Sequence, residues 1–196
     1  MSSQEYCLIL EDKEETQQFL CQVVQQVLPD IKPLFSRSLV EALATVERFQ
    51  KNSSSEKLRI CLVDLGLPDG SGVDFIRKIN DFTRDIPCIV TTIYDSDQHL
   101  FGALSAGASG YLLKSDDMAS LVQLLMRIES GEPPLSPSVA RRILGHFQNE
   151  KKERPVQDNL SPRERETLLL LAQGLTIAEA AKSMSLSAQT VAGYVK

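Results

Sequence analysis

Four short stretches carry the side chains with chemical capacity: Glu11-Asp12, Asp64, Thr92 and Lys114. Each closes an apolar run. Glu5 to Leu10 leads into the first pair, Ile60-Cys-Leu-Val63 into Asp64, Pro87-Cys-Ile-Val into Thr91-Thr92, and Tyr111-Leu-Leu into Lys114. An ionised group placed where an apolar strand surfaces is costly unless it has a partner. In open α/β sheets ligands bind beyond the carboxyl ends of the strands, so these positions suggest a site. Three carboxylates gathered at one edge repel one another unless a hard cation sits among them, and oxygen ligands of this kind suit Mg²⁺. A lone Asp, Thr or Lys at a strand end is ordinarily a cap, a β-branched filler or a solvated charge. The joint placement of acids, hydroxyl and ammonium is what marks these four.

The elements that must position them alternate along the chain. Continuous apolar runs near 5–10, 32–35, 60–63, 87–92 and 111–113 predict strands buried on both faces. Between them, apolar residues at helical spacing predict helices: Phe19, Leu20, Val23 and Val24 in the first, Ala42, Val46 and Phe49 in the second, Phe75, Ile76 and Ile79 in the third. A weaker helix spans Asp95 to Ala106, and a last one spans Asp116 to Glu129. Pro68-Asp69-Gly70 and Gly72 turn the chain after Asp64. Strand–helix alternation of this kind predicts right-handed crossovers and a doubly wound, five-stranded parallel sheet. With the order 2-1-3-4-5, all four stretches fall on one edge, around the switch point between strands 1 and 3.

Composition narrows the class. Apolar content of 42% with 24% charge is ordinary for a globular chain, so disorder is not the expectation. No apolar run reaches membrane-spanning length, and the start Met-Ser-Ser-Gln-Glu lacks the pattern of a signal peptide, so a cytoplasmic protein without membrane contact is expected. Cys7, Cys21, Cys61 and Cys88 share no metal-like spacing and read as buried free thiols. His99 and His146 stand alone and read as surface or packing residues. Residues 1–130 carry 12 Lys+Arg against 19 Asp+Glu, and residues 131–196 carry 9 against 7. The acidic front suits a cation, and the rear permits a polyanion without resembling a strongly basic nucleic-acid binder.

CLVDLGLPDGSG and PCIVTTIYDSDQHLFGALSAGASGYLLK resemble the receiver domain of two-component response regulators, over Tyr6 to Glu129. That resemblance implies that Asp64 is the phospho-acceptor. It implies a Mg²⁺ site formed by Glu11, Asp12, Asp64 and the backbone carbonyl of Gly66. Thr92 would be the switch hydroxyl, Tyr111 the rotating aromatic, and Lys114 the partner of the phosphoryl group. Gly66 and Tyr94 would flank the acceptor. Glu11 stands where many relatives have Asp, a longer arm that reaches the metal through water. A histidine kinase is the implied donor, and the chain is not an enzyme beyond assisting its own phosphorylation and dephosphorylation.

The rear half reads as helices. Ser161, Pro162 and Glu164 form a capping box, Gly174 stops that helix, Thr176 caps a second, and Ser187 caps a third after a tight turn. Helix, turn and helix with small residues at the crossing predict a helix-turn-helix. LSPRERETLLLLAQGLTIAEAAKSMSLSAQTVAGYVK resembles the DNA-binding domain of the NarL/LuxR-type regulators, nearly gap-free over three helices. The resemblance makes Ser187 to Lys196 the major-groove reader, with Ser187, Gln189, Thr190, Tyr194 and Lys196 as contacts and a homodimer on activation. Ala192 and Gly193 occupy positions usually given to long or basic side chains, and the chain stops before the family's fourth helix. The expected division is 1–130 receiver, 131–158 linker with a short helix, and 159–196 helix-turn-helix lacking its last helix. Two other readings remain: a phosphorylation-switched interaction module that no longer binds DNA, and, more weakly, a Mg²⁺-dependent phosphatase, which would want a second aspartate where Gly66 stands.

Overall fold

The computed structural model describes residues 4–51, 56–82, 85–93, 96–153 and 160–195. The chain forms two compact units, Met1–Met126 and Arg127–Lys196.

In the first unit, strands β1 (Gln4–Leu10), β2 (Lys32–Ser36) and β3 (Glu56–Val63) are followed by two very short strands, β4 (Gly66–Leu67) and β5 (Gly70–Ser71), and then by β6 (Cys88–Thr92) and β7 (Gly110–Leu113). Helices α1 (Glu14–Val27), α2 (Leu39–Lys51), α3 (Gly72–Phe82), α4 (Asp97–Ser105) and α5 (Met118–Glu129) alternate with them. The five longer strands pair in parallel in the order β2-β1-β3-β6-β7. This is the predicted doubly wound sheet. Leu8, Ile9 and Leu10 on β1, Ile60 and Leu62 on β3, and Ile89 on β6 are buried because helices cover both faces. Each such side chain contributes about 1.5–3 kcal/mol of transfer free energy. Phe75, Ile76 and Ile79 bring α3 onto this core.

Register sets what happens at the strand ends. Leu10 lies opposite Val63, so Glu11 and Asp64 leave the sheet side by side, and the Asp64 amide donates to the Leu10 carbonyl at 2.8 Å. Thr92 lies opposite Leu113, and the Lys114 amide donates to the Thr92 carbonyl at 2.9 Å. A one-residue slip would send every one of these side chains to the other face.

The turn after Asp64 is more ordered than its sequence suggests. Gly66 pairs with Ser71 and Leu67 with Gly70 in an antiparallel hairpin whose tip is Pro68-Asp69. The Asp69 carboxylate accepts from the amides of Leu39 and Val40 at 2.8 and 3.0 Å, capping α2. Those two amides hold the Asp69 carboxyl below its ordinary range. Gly72 opens α3 against the end of β3. A Cβ there would stand 2.0 Å from the Asp64 carbonyl oxygen, so only glycine allows the close approach.

The second unit contains α6 (Pro137–Glu153), α7 (Pro162–Ala172), α8 (Ile177–Met184) and α9 (Ala188–Gly193). The stretch 131–158, expected as a linker with a short helix, therefore holds a 17-residue helix. Its Ala140 joins the core formed by Leu171, Ile177, Ala180, Met184 and Val191. The charged sequence after Asn149 suggests a linker because apolar periodicity is absent there, yet nothing in it breaks a helix before Pro155. Ser161 accepts from the Glu164 amide while Glu164 accepts from the Ser161 amide, and Thr176 and Glu179 repeat the arrangement on α8. Gly174 ends α7 at φ +93, and Ser185 (φ 56) makes the left-handed turn between α8 and α9. Alanines at 140, 180, 181 and 192 permit close helix crossing.

Candidate functional site

Glu11, Asp12 and Asp64 each present a carboxylate oxygen within 4.8 Å of the others. Glu11 is fully buried, Asp64 nearly so, and Asp12 half-buried. The Lys114 ammonium lies between two of them. It donates a short hydrogen bond to Glu11 Oε2 and stands 3.1 Å from Asp64 Oδ1. The second contact is an ion pair without hydrogen-bond alignment, and Asp64 Oδ1 is a buried oxygen to which no donor is directed. Glu11 Oε1 accepts from the Lys13 amide at 3.2 Å, and the Glu11 carbonyl accepts from Gln17 Nε2 at 2.7 Å, fixing the start of α1. Burial pushes the Glu11 carboxyl above its ordinary range; the Lys114 ammonium opposes that rise, and the Asp64 charge adds to it.

Glu11, Asp12, Asp64 and Lys114 thus converge, with distinctions the sequence does not carry. Thr92 and Tyr111 are both fully buried, on neighbouring strands β6 and β7. Gly66 sits exposed in the hairpin, two residues beyond Asp64. Tyr94 lies outside the described residues. The pairing of Glu11 with Lys114, 103 residues apart, has no local signal. Nor does the Asp69 clasp on α2: the Pro-Asp-Gly turn is legible, its partner is not. An acid cluster with an undirected buried oxygen has the donor set that a hard divalent cation requires. The thiols contribute nothing here. All four cysteines are free; burial pushes Cys7 up, and a hydrogen bond with Cys88 followed by burial pushes Cys61 up, which leaves them inert.

In the second unit, Ser187 Oγ caps α9 by accepting from the Thr190 amide at 3.0 Å and lies 2.7 Å from Thr190 Oγ1. Ser187, Gln189 and Thr190 are exposed; Tyr194 is half-buried and packs against the core. Lys196 lies outside the described residues. The resemblance gives the position of Ala192 to long or basic side chains, and here the alanine is 5% exposed and packs in the core beside Val191. Its small size serves helix packing. Gly193 is exposed, and a Cβ there would meet nothing within 4 Å.

A parallel sheet of this order, with acids at its switch point and a lysine from the last strand end, has the architecture of a receiver. A family model described as "Response regulator receiver domain" matches residues 7–126, and one described as "Bacterial regulatory proteins, luxR family" matches residues 158–196. The chain belongs to the response regulators that join a receiver to a LuxR-type helix-turn-helix. It is 31% identical over 159 residues to the uncharacterized transcriptional regulatory protein YhcZ of Bacillus subtilis (strain 168), covering 80% of this chain and 70% of that one. It is 29% identical over 158 residues to the DNA-binding transcriptional activator DevR/DosR of Mycobacterium tuberculosis, covering 81% and 70%. Among solved structures, one of two RcsB dimers bound to two parallel DNAs matches with TM-score 0.58 and 21% identity, over 98% of this chain and 88% of that one. A response regulator ChrA of a heme-sensing two-component system matches with TM-score 0.53 and 23% identity, over 100% and 88%. Among the described residues no helix is long and apolar enough to cross a membrane.

Proposed function

We propose that this chain takes a phosphoryl group from a histidine kinase onto Asp64 and answers by binding DNA through its second unit as a homodimer. The observation that carries the first half is the Asp64 carboxylate itself: buried, with one oxygen that no donor engages, and an ammonium 3.1 Å from it. That oxygen attacks the phosphorus of a phosphohistidine, the P–N bond breaks, and the departing imidazole takes up a proton. An acyl phosphate remains on Asp64. Transfer of this kind depends on positioning and charge stabilisation. Glu11, Asp12, Asp64 and the Gly66 carbonyl would hold Mg²⁺, which neutralises charge on the transferring oxygens when bound. Lys114 meets the same charge from the other side. The buried Thr92 hydroxyl turns toward the new oxygens, and Tyr111 follows into the space left, a shift between two pre-existing conformers.

In this scheme residues 1–130 act as the receiver and 159–196 recognise DNA, with 131–158 between them. Ser187, Gln189, Thr190, Tyr194 and Lys196 are the proposed contacts, and the exposure of the first three supports them. A chain served by a kinase works in the cytoplasm, where Cys7, Cys61 and Cys88 stay reduced.

Incubation with acetyl phosphate and Mg²⁺, followed by intact mass, is expected to show a gain of one phosphoryl group that Asp64→Asn abolishes. Equal labelling of the Asp64→Asn variant would refute the acceptor. Fluorescence anisotropy with promoter DNA is expected to show salt-sensitive binding that tightens on phosphorylation; affinity indifferent to phosphorylation would remove the switch.

A further inference from the structure

The exposed face of α9 is chemically spare. Ser187 stands at the cap, followed by Ala188, Gln189, Thr190 and Gly193, while Val191 and Ala192 turn into the core. The stretch Ala188–Gly193 contains no Lys or Arg. Guanine is read most often by the two-pronged contact of an arginine or lysine with its O6 and N7, so this helix lacks the usual means of selecting it. The Ser187 and Thr190 hydroxyls lie 2.7 Å apart, and the Ser187 oxygen also accepts from the Thr190 amide, so both serve the helix end. Hydroxyls moreover discriminate little between bases.

Gln189 differs from its neighbours. It is exposed, and no hydrogen bond with a described residue engages its amide. One turn further along the same face stands Gly193, where even a Cβ would meet nothing within 4 Å. Ala188, on the other side, is exposed and ends at its methyl. A glutamine is shorter than a lysine or an arginine, so it reaches a base edge only if the helix backbone comes close. Glycine and alanine beside it allow that approach. The carboxamide carries one acceptor and one donor group in a single plane. In the major groove adenine presents the complementary pair, its N6 amino donor next to its N7 acceptor.

We infer that Gln189 is the residue by which the second unit selects its sequence, and that it selects adenine in the major groove. The amide oxygen accepts from N6 and the amide nitrogen donates to N7. This rests on the reading of that unit as a DNA-binding module. Half-sites for this chain are then marked by an A·T pair facing α9.

The probe is a library of DNA duplexes with a randomised centre, selected with the full chain before and after treatment with acetyl phosphate and Mg²⁺, and read by sequencing. The wild type is expected to fix adenine at one position of each half-site. Gln189→Ala should lose the preference at that position, and Gln189→Arg should replace it with guanine. Far-UV circular dichroism confirms that both variants fold. On the selected duplex, an adenine analogue with carbon in place of N7 is expected to weaken wild-type binding about tenfold by fluorescence anisotropy and to leave Gln189→Ala unaffected. Selection that fixes no adenine, or an adenine preference that survives in Gln189→Ala, overturns the inference and leaves DNA binding standing. An unenriched library that still binds in a salt-sensitive manner does the same. A library that does not bind at all overturns the DNA-binding reading as well.

Discussion

The two units solve opposite problems with their polar residues. At the switch point of the first, Glu11, Asp64 and Lys114 are buried together and depend on one another across as many as 103 residues of chain. In the second, the capping groups are local: Ser161 with Glu164, Thr176 with Glu179, Ser187 with Thr190, each three residues apart and exposed. The first arrangement stores charge where water cannot screen it, which is what a group-transfer site needs. The second places capping side chains at its helix ends and packs a core of alanine, valine, leucine, isoleucine and methionine, beside which Thr167 is buried with its hydroxyl donating to the Arg163 carbonyl at 2.9 Å. Substitutions should therefore travel far in the first unit and stay local in the second.

The sharpest way to break that contrast is Ala192→Lys. An ammonium forced among Val191, Ala181 and Met184 is expected to destabilise the second unit by about 3 kcal/mol. Gly193→Lys, one residue on, should change it by no more than about 0.5 kcal/mol. Hydrogen exchange read by mass spectrometry assigns the loss to its unit; equal tolerance at both positions would mean α9 is rotated from the described packing. Next is Gly72→Ala, whose Cβ would collide with the Asp64 carbonyl. It should cost about 2 kcal/mol in urea unfolding and also slow phosphoryl uptake from acetyl phosphate, since the acceptor's own backbone must shift. A stability loss with unchanged uptake would show the site to be less tightly coupled to α3.

Ser161→Ala should cost about 1 kcal/mol in thermal unfolding, with faster hydrogen exchange confined to α7. The smallest effect is expected at Asp116, whose carboxyl burial pushes above its ordinary 3.8, followed by repulsion from Asp117. A raised acid penalises the folded state when ionised. That penalty is full above the folded pKa and disappears as pH falls through it toward the unfolded value. Asp116→Asn should accordingly be slightly more stable than the wild type at neutral pH and indistinguishable from it below about pH 3.8, as urea unfolding at the two pH values would read.

The strand ends are legible in the sequence because apolar runs have sharp boundaries, and acids, a hydroxyl and an ammonium placed jointly at four of them have few cheap explanations. Caps are legible for a similar reason: their partners are three residues away. What the sequence withholds is distance. Nothing near Asp69 points to Leu39, and nothing near Glu11 points to Lys114. The burial of Ala192 stays hidden because a six-residue helix is too short to show which face is buried. The length of α6 stays hidden because its last turns are polar all round, so periodicity carries no signal.

The hairpin beside Asp64 has one further consequence. Its tip is fastened by Asp69 to the first amides of α2, and its base is fastened by the Gly72 amide to the Leu65 carbonyl. A loop free at its tip absorbs a displacement; one pinned at both ends behaves as a strut. If Asp64 takes up a phosphoryl group as proposed, a displacement of this hairpin would reach α2 as a mechanical load.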